Sequence, residues 1–538
     1  MRSEEDTMKH LILLLGIAIL SMTFTACDED APIGDPSNGS IDASVYVAVG
    51  NSLTAGYQSG ALFEEAQMYS FPNLIAQQIG TAEFVQPTIA YPGTGDLMLL
   101  QQIINGQPVI TYNGANLAYP TNMTTHLKPY HNLGIPGSIL ADAIDTSDAV
   151  VRGTQRANPF YALVLRDQSV FGKSVLDQAI ALQPTLMTFW FGCNDVFGYA
   201  ASGGTRGTNI GVGGHPRGTM PTERAVFDEF IKKAFGLMKL SIPDAKVLVG
   251  NIPNVTKNPL FFTVPRKIPN PTNPEQMLDI YYHTSSDNVA AVGENDYVLL
   301  TAQAELLKGV GLHPNNPLPS QHVLDAAEVA IAEDAVERFN MILDQEAAAH
   351  GYVLVDVNQL MSDLNSGGVK VAGETYTSNY ITGGVFSLDG VHLMPRGNAL
   401  VANYFIDAMN SAYGANIRMI APNTVPGFTA PSGMGKRGVV PWRLSVDFPT
   451  DGACGFFSRD CPACFVFFIF TGEYNHPDHP PIPRSYTHAH GTCRHPRYRQ
   501  GTGSHGRRVP DGARLSRPNA DLYRTGHVQR DVERTLLI

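Results

Sequence analysis

Four short stretches of the chain are apolar or β-branched almost without interruption: 44–49, ending in Gly50, then 186–191, 246–250 and 352–357. A strand with one wet face alternates apolar and polar positions, so unbroken runs predict strands buried on both faces. Each run is followed by a polar turn rich in Gly or Asn. Between the runs, apolar positions recur at helical spacing. Residues 72–79 begin on Pro and are followed by Gly80, the usual asymmetry of helix ends. Residues 223–240 place Val226, Phe230, Ile231, Ala234, Leu237 and Met238 on one face. Longer amphipathic patterns cover 323–350 and 395–413, closed by Gly351 and Gly414. Buried strands alternating with helices predict an α/β fold with a mostly parallel sheet covered on both sides.

Three stretches break the alternation. Residues 60–126, 200–221 and 254–320 are long and rich in Gly, Pro and Asn, and are expected to be insertions over one end of the sheet. Open α/β folds place their ligand sites there. The glycines between Gly203 and Gly218 form no phosphate loop, since no Gly-Lys-Ser/Thr follows and no helix starts.

Composition sharpens this picture at both ends. An apolar content of 43% and a charged content of 16% fit a globular protein with a sizeable core. The net charge of -12 argues against nucleic acid as a partner. From Arg437 onward the chain holds 14 Arg, no Lys and 9 acidic residues, against 23 basic and 40 acidic residues before it. That shift, with four of the six cysteines and seven of the sixteen histidines, sets 416–538 apart as a linker and a tail expected to form no domain. Its Cys461 and Cys464, with Cys454 and Cys493, match no standard zinc spacing.

At the N-terminus, Lys9 and His10 precede an apolar run over 11–22 that is too short to span a bilayer, where about 20 apolar residues are needed. Phe24-Thr25-Ala26-Cys27 then resembles a bacterial lipoprotein processing site, with Phe24 where Leu is usual. The resemblance implies a signal segment over 1–27, lipid on Cys27 and anchoring in the outer membrane, with surface exposure suggested by Asp28-Glu29-Asp30. Residues 28–43 are expected to be a flexible tether, and the ordered domain to cover 44–415. Only Cys193 lies between Asp28 and Lys436, so the domain must rest on its hydrophobic core and not on bridges.

Three strand ends carry chemistry-bearing residues. Gly50-Asn51-Ser52-Leu53 follows the first strand, Gly192-Cys193-Asn194-Asp195 the second, and Asp389-Gly390-Val391-His392 precedes the last helix. One turn of backbone separates Asp389 from His392, so the carboxylate can hold the imidazole while the ring faces the serine. Ser, Asn, Asp and His supply a nucleophile, an oxyanion donor, an orienter and a base. A serine hydroxyl is a poor nucleophile until a base takes its proton, and imidazole titrates in the range where it can accept and return one.

These blocks resemble those of the SGNH hydrolases, the GDSL-type lipase and acylhydrolase family. Gly50 to Leu53 matches the first block, with Asn51 where Asp is more usual. Gly137 matches the second-block glycine, Gly192 to Asp195 the third block, and Asp389 with His392 the fifth. The resemblance implies a flavodoxin-like three-layer α/β/α fold with a five-stranded sheet. It implies Ser52, Asp389 and His392 as the catalytic set, and an oxyanion hole from Ser52, Gly137 and Asn194. Cys193 is expected to be a buried small hydrophobe, and His126, His131, His215 and His283 to be surface or packing residues. No metal and no cofactor is inferred.

The expected partner is an acyl ester of a glycan or a lipid. Polar loops outside the cell favour short acyl groups, glycan acetyl esters in particular. The apolar run Leu260-Phe261-Phe262-Thr263-Val264 could instead line the acyl pocket of a lipase or phospholipase, or form local core beneath a loop. A rival of another kind is a non-catalytic lipoprotein that binds a glycan or a protein on the same scaffold.

Overall fold

The computed structural model describes residues 35–427, apart from 105–106, 207–208, 211–215, 218–219 and 271–272. The chain divides into two units, Met1–Thr450 and Asp451–Ile538, and all described residues belong to the first. Cys27, His215, residues 28–34 of the tether and the tail beyond 427 therefore lie outside the described residues.

Five strands form the central sheet: β1 (Tyr46–Gly50), β2 (Asn132–Gly134), β3 (Leu186–Trp190), β4 (Lys246–Gly250) and β5 (Val353–Val355). Their order is β5-β4-β3-β1-β2, and every neighbouring pair is parallel. All five residues of β1 and of β3 are buried, as their unbroken apolar runs require. The one polar pair this brings together is satisfied: the Tyr46 and Thr188 hydroxyls lie 2.9 Å apart.

The helices that matter for the site are α1 (Ser52–Ala55), α2 (Phe71–Ile79), α3 (Asn194–Ala200), α4 (Arg224–Ser241), α5 (Ala326–His350), α6 (Val357–Ser366) and α7 (Pro395–Tyr413). Adjacent residues of a strand point to opposite faces, and β3 shows which helices cover which. Phe189 meets Phe235 of α4 edge-on at 5.3 Å, and Phe227 of α4 stacks on Phe339 of α5 at 4.0 Å. Trp190, one residue on, meets Phe71 of α2 at 5.4 Å and Phe405 of α7 at 6.2 Å. The result is three layers, with α4 and α5 on one side and α2 and α7 on the other.

Four boundaries differ from expectation, each for a local reason. The long helix starts at Ala326 and not at 323, because Asp325 and Glu328 form a reciprocal capping box while Val323–Leu324 pairs with Tyr297–Val298. The last strand stops at Val355, since Asp356 accepts the Gln359 N–H and opens α6. Packing also begins before residue 44: Ser37 bridges Asn416 and Ile41 is buried, so the segment just ahead of β1 is fastened to the end of α7. On the other side, Ile417 and Ile420 extend the core slightly beyond 415.

The insertions are built from hairpins. Met98–Ile104 pairs with Gln107–Tyr112, and residues between 264 and 323 gather a small core of their own that includes Val264, Ile280, Tyr282, Val298 and Leu318. Leu260 and Phe261 are buried in the main core, so the apolar run there is local packing.

Candidate active site

Ser52 is the first residue of α1, directly after β1. Asn51 caps this turn by accepting the Leu53 N–H at 2.9 Å, which fixes Ser52 at the strand end. Gly134 of β2 lets the turn sit close: a Cβ there would fall on the Ala55 backbone.

His392 reaches the serine from the other side of the sheet sequence, with its Nε2 2.9 Å from Ser52 Oγ and its Nδ1 2.9 Å from Asp389 Oδ2. The Asp389 carboxylate is itself held by five donors. Oδ1 accepts from the Val391 N–H at 2.9 Å, the His392 N–H at 2.8 Å and Ser387 Oγ at 3.0 Å. Oδ2 accepts from the Gly60 N–H at 3.2 Å besides the ring. Burial alone would raise this carboxyl, but the His392 ring and the hydrogen bonds from His392 and Val391 outweigh it and hold it well below the usual carboxylate range. Tyr57 packs its ring 4.7 Å from the imidazole, which limits the positions the base can take.

Gly137 and Asn194 close the third side. Gly137 has φ +77°, a left-handed conformation, and a side chain there would also meet Asn158 Nδ2 at 2.9 Å. Asn158 in turn donates to Pro136 O at 2.7 Å, and Ser138 Oγ donates to Gly50 O at 3.1 Å, so the loop is tied to the end of β1. Asn194, first in α3, gives one amide hydrogen to Ser138 O at 2.8 Å and keeps a second. Beneath the loop, Asp142 is buried against Arg152 and Arg156 and accepts the Ile139 N–H at 2.9 Å.

Ser52, Gly137, Asn194 and His392 all line one cavity of about 610 Å³. Asp389 stands behind His392 and not in the lining. Asp195, neighbour of the oxyanion candidate, faces away. Its carboxylate accepts the Leu140 N–H and the Thr222 hydroxyl, both at 2.8 Å, and burial pushes it up to about 7. Cys193 is buried, and burial pushes its thiol up to about 12, against a hydrogen bond with Asn51. A thiol so disfavoured as thiolate is a poor nucleophile. His131 is buried and accepts the Val85 N–H, His126 stacks on Tyr130, and His283 lies 3.3 Å from Asp287.

Tyr57 and Gly60, which support His392, come from segments far from it along the chain and carry no mark in the sequence; Ser387 had a single sign, its place two residues before Asp389. Among the described residues, no group of three or more His, Cys, Asp or Glu side chains could hold a metal ion.

A hydroxyl, an imidazole and a carboxylate in hydrogen-bonded series, beside amide donors and at the carboxyl ends of a parallel sheet, form the arrangement used by serine hydrolases on esters and amides alike. The family model of the GDSL-like lipase/acylhydrolases matches residues 46–405. The chain belongs to that family and is an ester-cleaving acylhydrolase. No curated protein matches it. Among solved structures it is similar to an extracellular lipase from Streptomyces rimosus (14% identity, 69% of this chain and 99% of that one, TM-score 0.28). It is also similar to phospholipase A1 from Streptomyces albidoflavus (11%, 69% and 99%, 0.28) and to a peptidoglycan O-acetylesterase (10%, 69% and 93%, 0.29). Likeness this distant has no bearing on the substrate.

Proposed function

We propose that the chain hydrolyses carboxylic esters through an acyl-enzyme on Ser52. The observation that carries this reading is the unbroken series Asp389–His392–Ser52, with both links at 2.9 Å. His392 takes the Ser52 proton as Oγ bonds to the ester carbonyl carbon. The oxyanion that forms is met by the free amide hydrogen of Asn194 and the backbone N–H groups of Gly137 and Ser52. The carbon–oxygen bond to the alcohol then breaks, and His392 returns its proton to the leaving oxygen. Water, deprotonated by the same ring, repeats the attack on the acyl-enzyme and releases the acid. Asp389 fixes the ring tautomer and stabilises the imidazolium. Its five donors support that role, since they favour the charged carboxylate.

A non-catalytic binding protein has no use for this complete series, and no observation favours that reading. The cavity beside Ser52 is lined mainly by aliphatic and aromatic side chains, which suit an acyl group larger than acetyl. We also propose that Cys27 carries lipid and holds the hydrolase on the outer membrane, a reading that rests on the sequence around that cysteine. Replacing Ser52 with Ala tests the catalytic reading. The variant should fold and lose hydrolysis of p-nitrophenyl esters and labelling by a fluorophosphonate; wild-type turnover in it would refute the assignment.

A further inference from the structure

The cavity does not stop at the catalytic residues. From Ser52, at the end of β1, its lining continues to Trp190 at the end of β3, to Pro253 just past β4 and to Val357 just past β5. These positions follow the order of the sheet, so the cavity runs across the carboxyl ends of four adjacent strands. Its far walls are Met361 and Leu364 of α6 and Leu400 and Val401 of α7, and all four are buried. Val391 and Leu393, on either side of His392, lie along the same passage. The arginines of the lining, Arg156 and Arg206, come from the segments that follow Gly137 and Asn194 in the chain and not from α6 or α7. The buried indole N–H of Trp190 is satisfied by Asn251 O at 2.9 Å, so it presents no unmet donor to the cavity.

Protein interiors are otherwise close-packed, and an apolar space of this size opening onto a reactive serine is the form of a ligand site. Resting on the reading of Ser52 as the nucleophile, we infer that the space between α6 and α7 is the acyl-chain site and that the substrate is an ester of a medium-length unbranched fatty acid. Length follows from the sheet. Three steps between neighbouring strands at about 4.8 Å span roughly 14 Å. An extended chain advances on the order of 1.2 Å per bond, as an extended polypeptide does, so about ten to twelve carbons fill the passage. The acyl carbonyl stays at Ser52 and the oxyanion donors, while the alcohol leaves on the side of Arg156 and Arg206. Those two residues place any charged or polar alcohol portion away from the aliphatic end.

The test is a series of p-nitrophenyl esters from acetate to hexadecanoate, run on the wild type and on Val401→Phe and Met361→Trp. For the wild type, kcat/KM should rise about two- to fourfold per methylene and level off near ten to twelve carbons. Each cavity-filling variant should lower the decanoate-to-acetate ratio at least tenfold and move the plateau to shorter chains. A wild-type profile that falls beyond butyrate, or variants that keep the wild-type ratio, would overturn the inference while leaving acetate turnover to speak for Ser52. A second arm needs no turnover: dodecanoate should raise the Tm of Ser52→Ala protein, and raise it less when Val401→Phe is added. The absence of any shift, or an equal shift in both proteins, overturns the acyl-chain site. If Ser52→Ala keeps its activity, the nucleophile assignment falls, and the dodecanoate arm judges the cavity alone.

Discussion

Asp389→Asn is the perturbation whose consequence can be worked most fully from the geometry. The amide is nearly isosteric but has one acceptor oxygen. If that oxygen takes the place of Oδ1, it keeps the Val391, His392 and Ser387 donors, and the new NH2 faces Nδ1 of the ring and the Gly60 N–H. Nδ1 must then become an acceptor. The ring proton moves to Nε2, where it points at Ser52 Oγ and blocks acceptance of the serine proton. The opposite amide orientation restores the tautomer and gives up three donors to the backbone turn. In either case the imidazolium loses its counter-charge. A unit pair at about 4 Å is worth roughly 4 kcal/mol at an effective dielectric of 20, or about 10³ in rate. With the wrong tautomer added, kcat should fall 10³- to 10⁴-fold, with little change in KM. The assay is steady-state hydrolysis of a p-nitrophenyl ester by purified protein of native circular dichroism. A loss below tenfold would mean that Asp389 neither orients nor charges the base. The same carboxylate has a pH signature. Its pKa is lowered in the folded state, so its stabilisation is complete above the unfolded value of about 3.9 and is lost as pH falls below it. The Tm deficit of Asp389→Asn should therefore be largest at neutral pH and shrink in acid.

Three further outcomes are expected. Asn194→Ala should lower kcat by about 10²–10³ with KM nearly unchanged, because its free amide hydrogen acts on charge that develops in the transition state; a change confined to KM would make it a substrate contact. Asp195 is raised to about 7 by burial, so folding favours its protonated form and stability should decline as pH rises from about 4 through 7. Asp195→Asn should flatten that part of the Tm–pH profile, and an unchanged slope would assign the decline to another group. Wild-type protein should incorporate fed palmitate and fractionate with membranes, and Cys27→Ser should do neither; soluble, unlabelled wild type would remove the anchor.

Much of the site was legible because its parts are local. A buried run followed by Gly-Asn-Ser places a hydroxyl at a strand end whatever the rest of the chain does, and Asp-x-x-His ties a carboxylate to an imidazole within one turn. The parallel sheet was legible for a similar reason, since burial on both faces leaves a continuous apolar signature in β1, β3 and β4. β2 left no such trace: it is three residues long, Asn132–Gly134, and at the sheet edge its pairing with Ala48 to Gly50 is set by the neighbour. α6 was obscured in another way, because its short, polar sequence directly follows the valines of β5 and reads as the end of that strand. The cavity beside Ser52 had no local signature at all. Trp190, Pro253, Met361 and Val401 come from four separate segments, and only the strand order brings them into one line. That is also why polar loops in the sequence suggested a short acyl group while the space beside the serine is lined mainly by apolar side chains.

The proposed acyl-enzyme on Ser52 is tested most directly by trapping it. Protein mixed with p-nitrophenyl decanoate, quenched in acid within the first turnovers and digested, should give a peptide containing Ser52 heavier by one decanoyl group. The adduct should be absent from Ser52→Ala and should accumulate in step with a burst of p-nitrophenol. A decanoyl group on any other residue, or full turnover with no burst and no adduct at Ser52, would contradict the account.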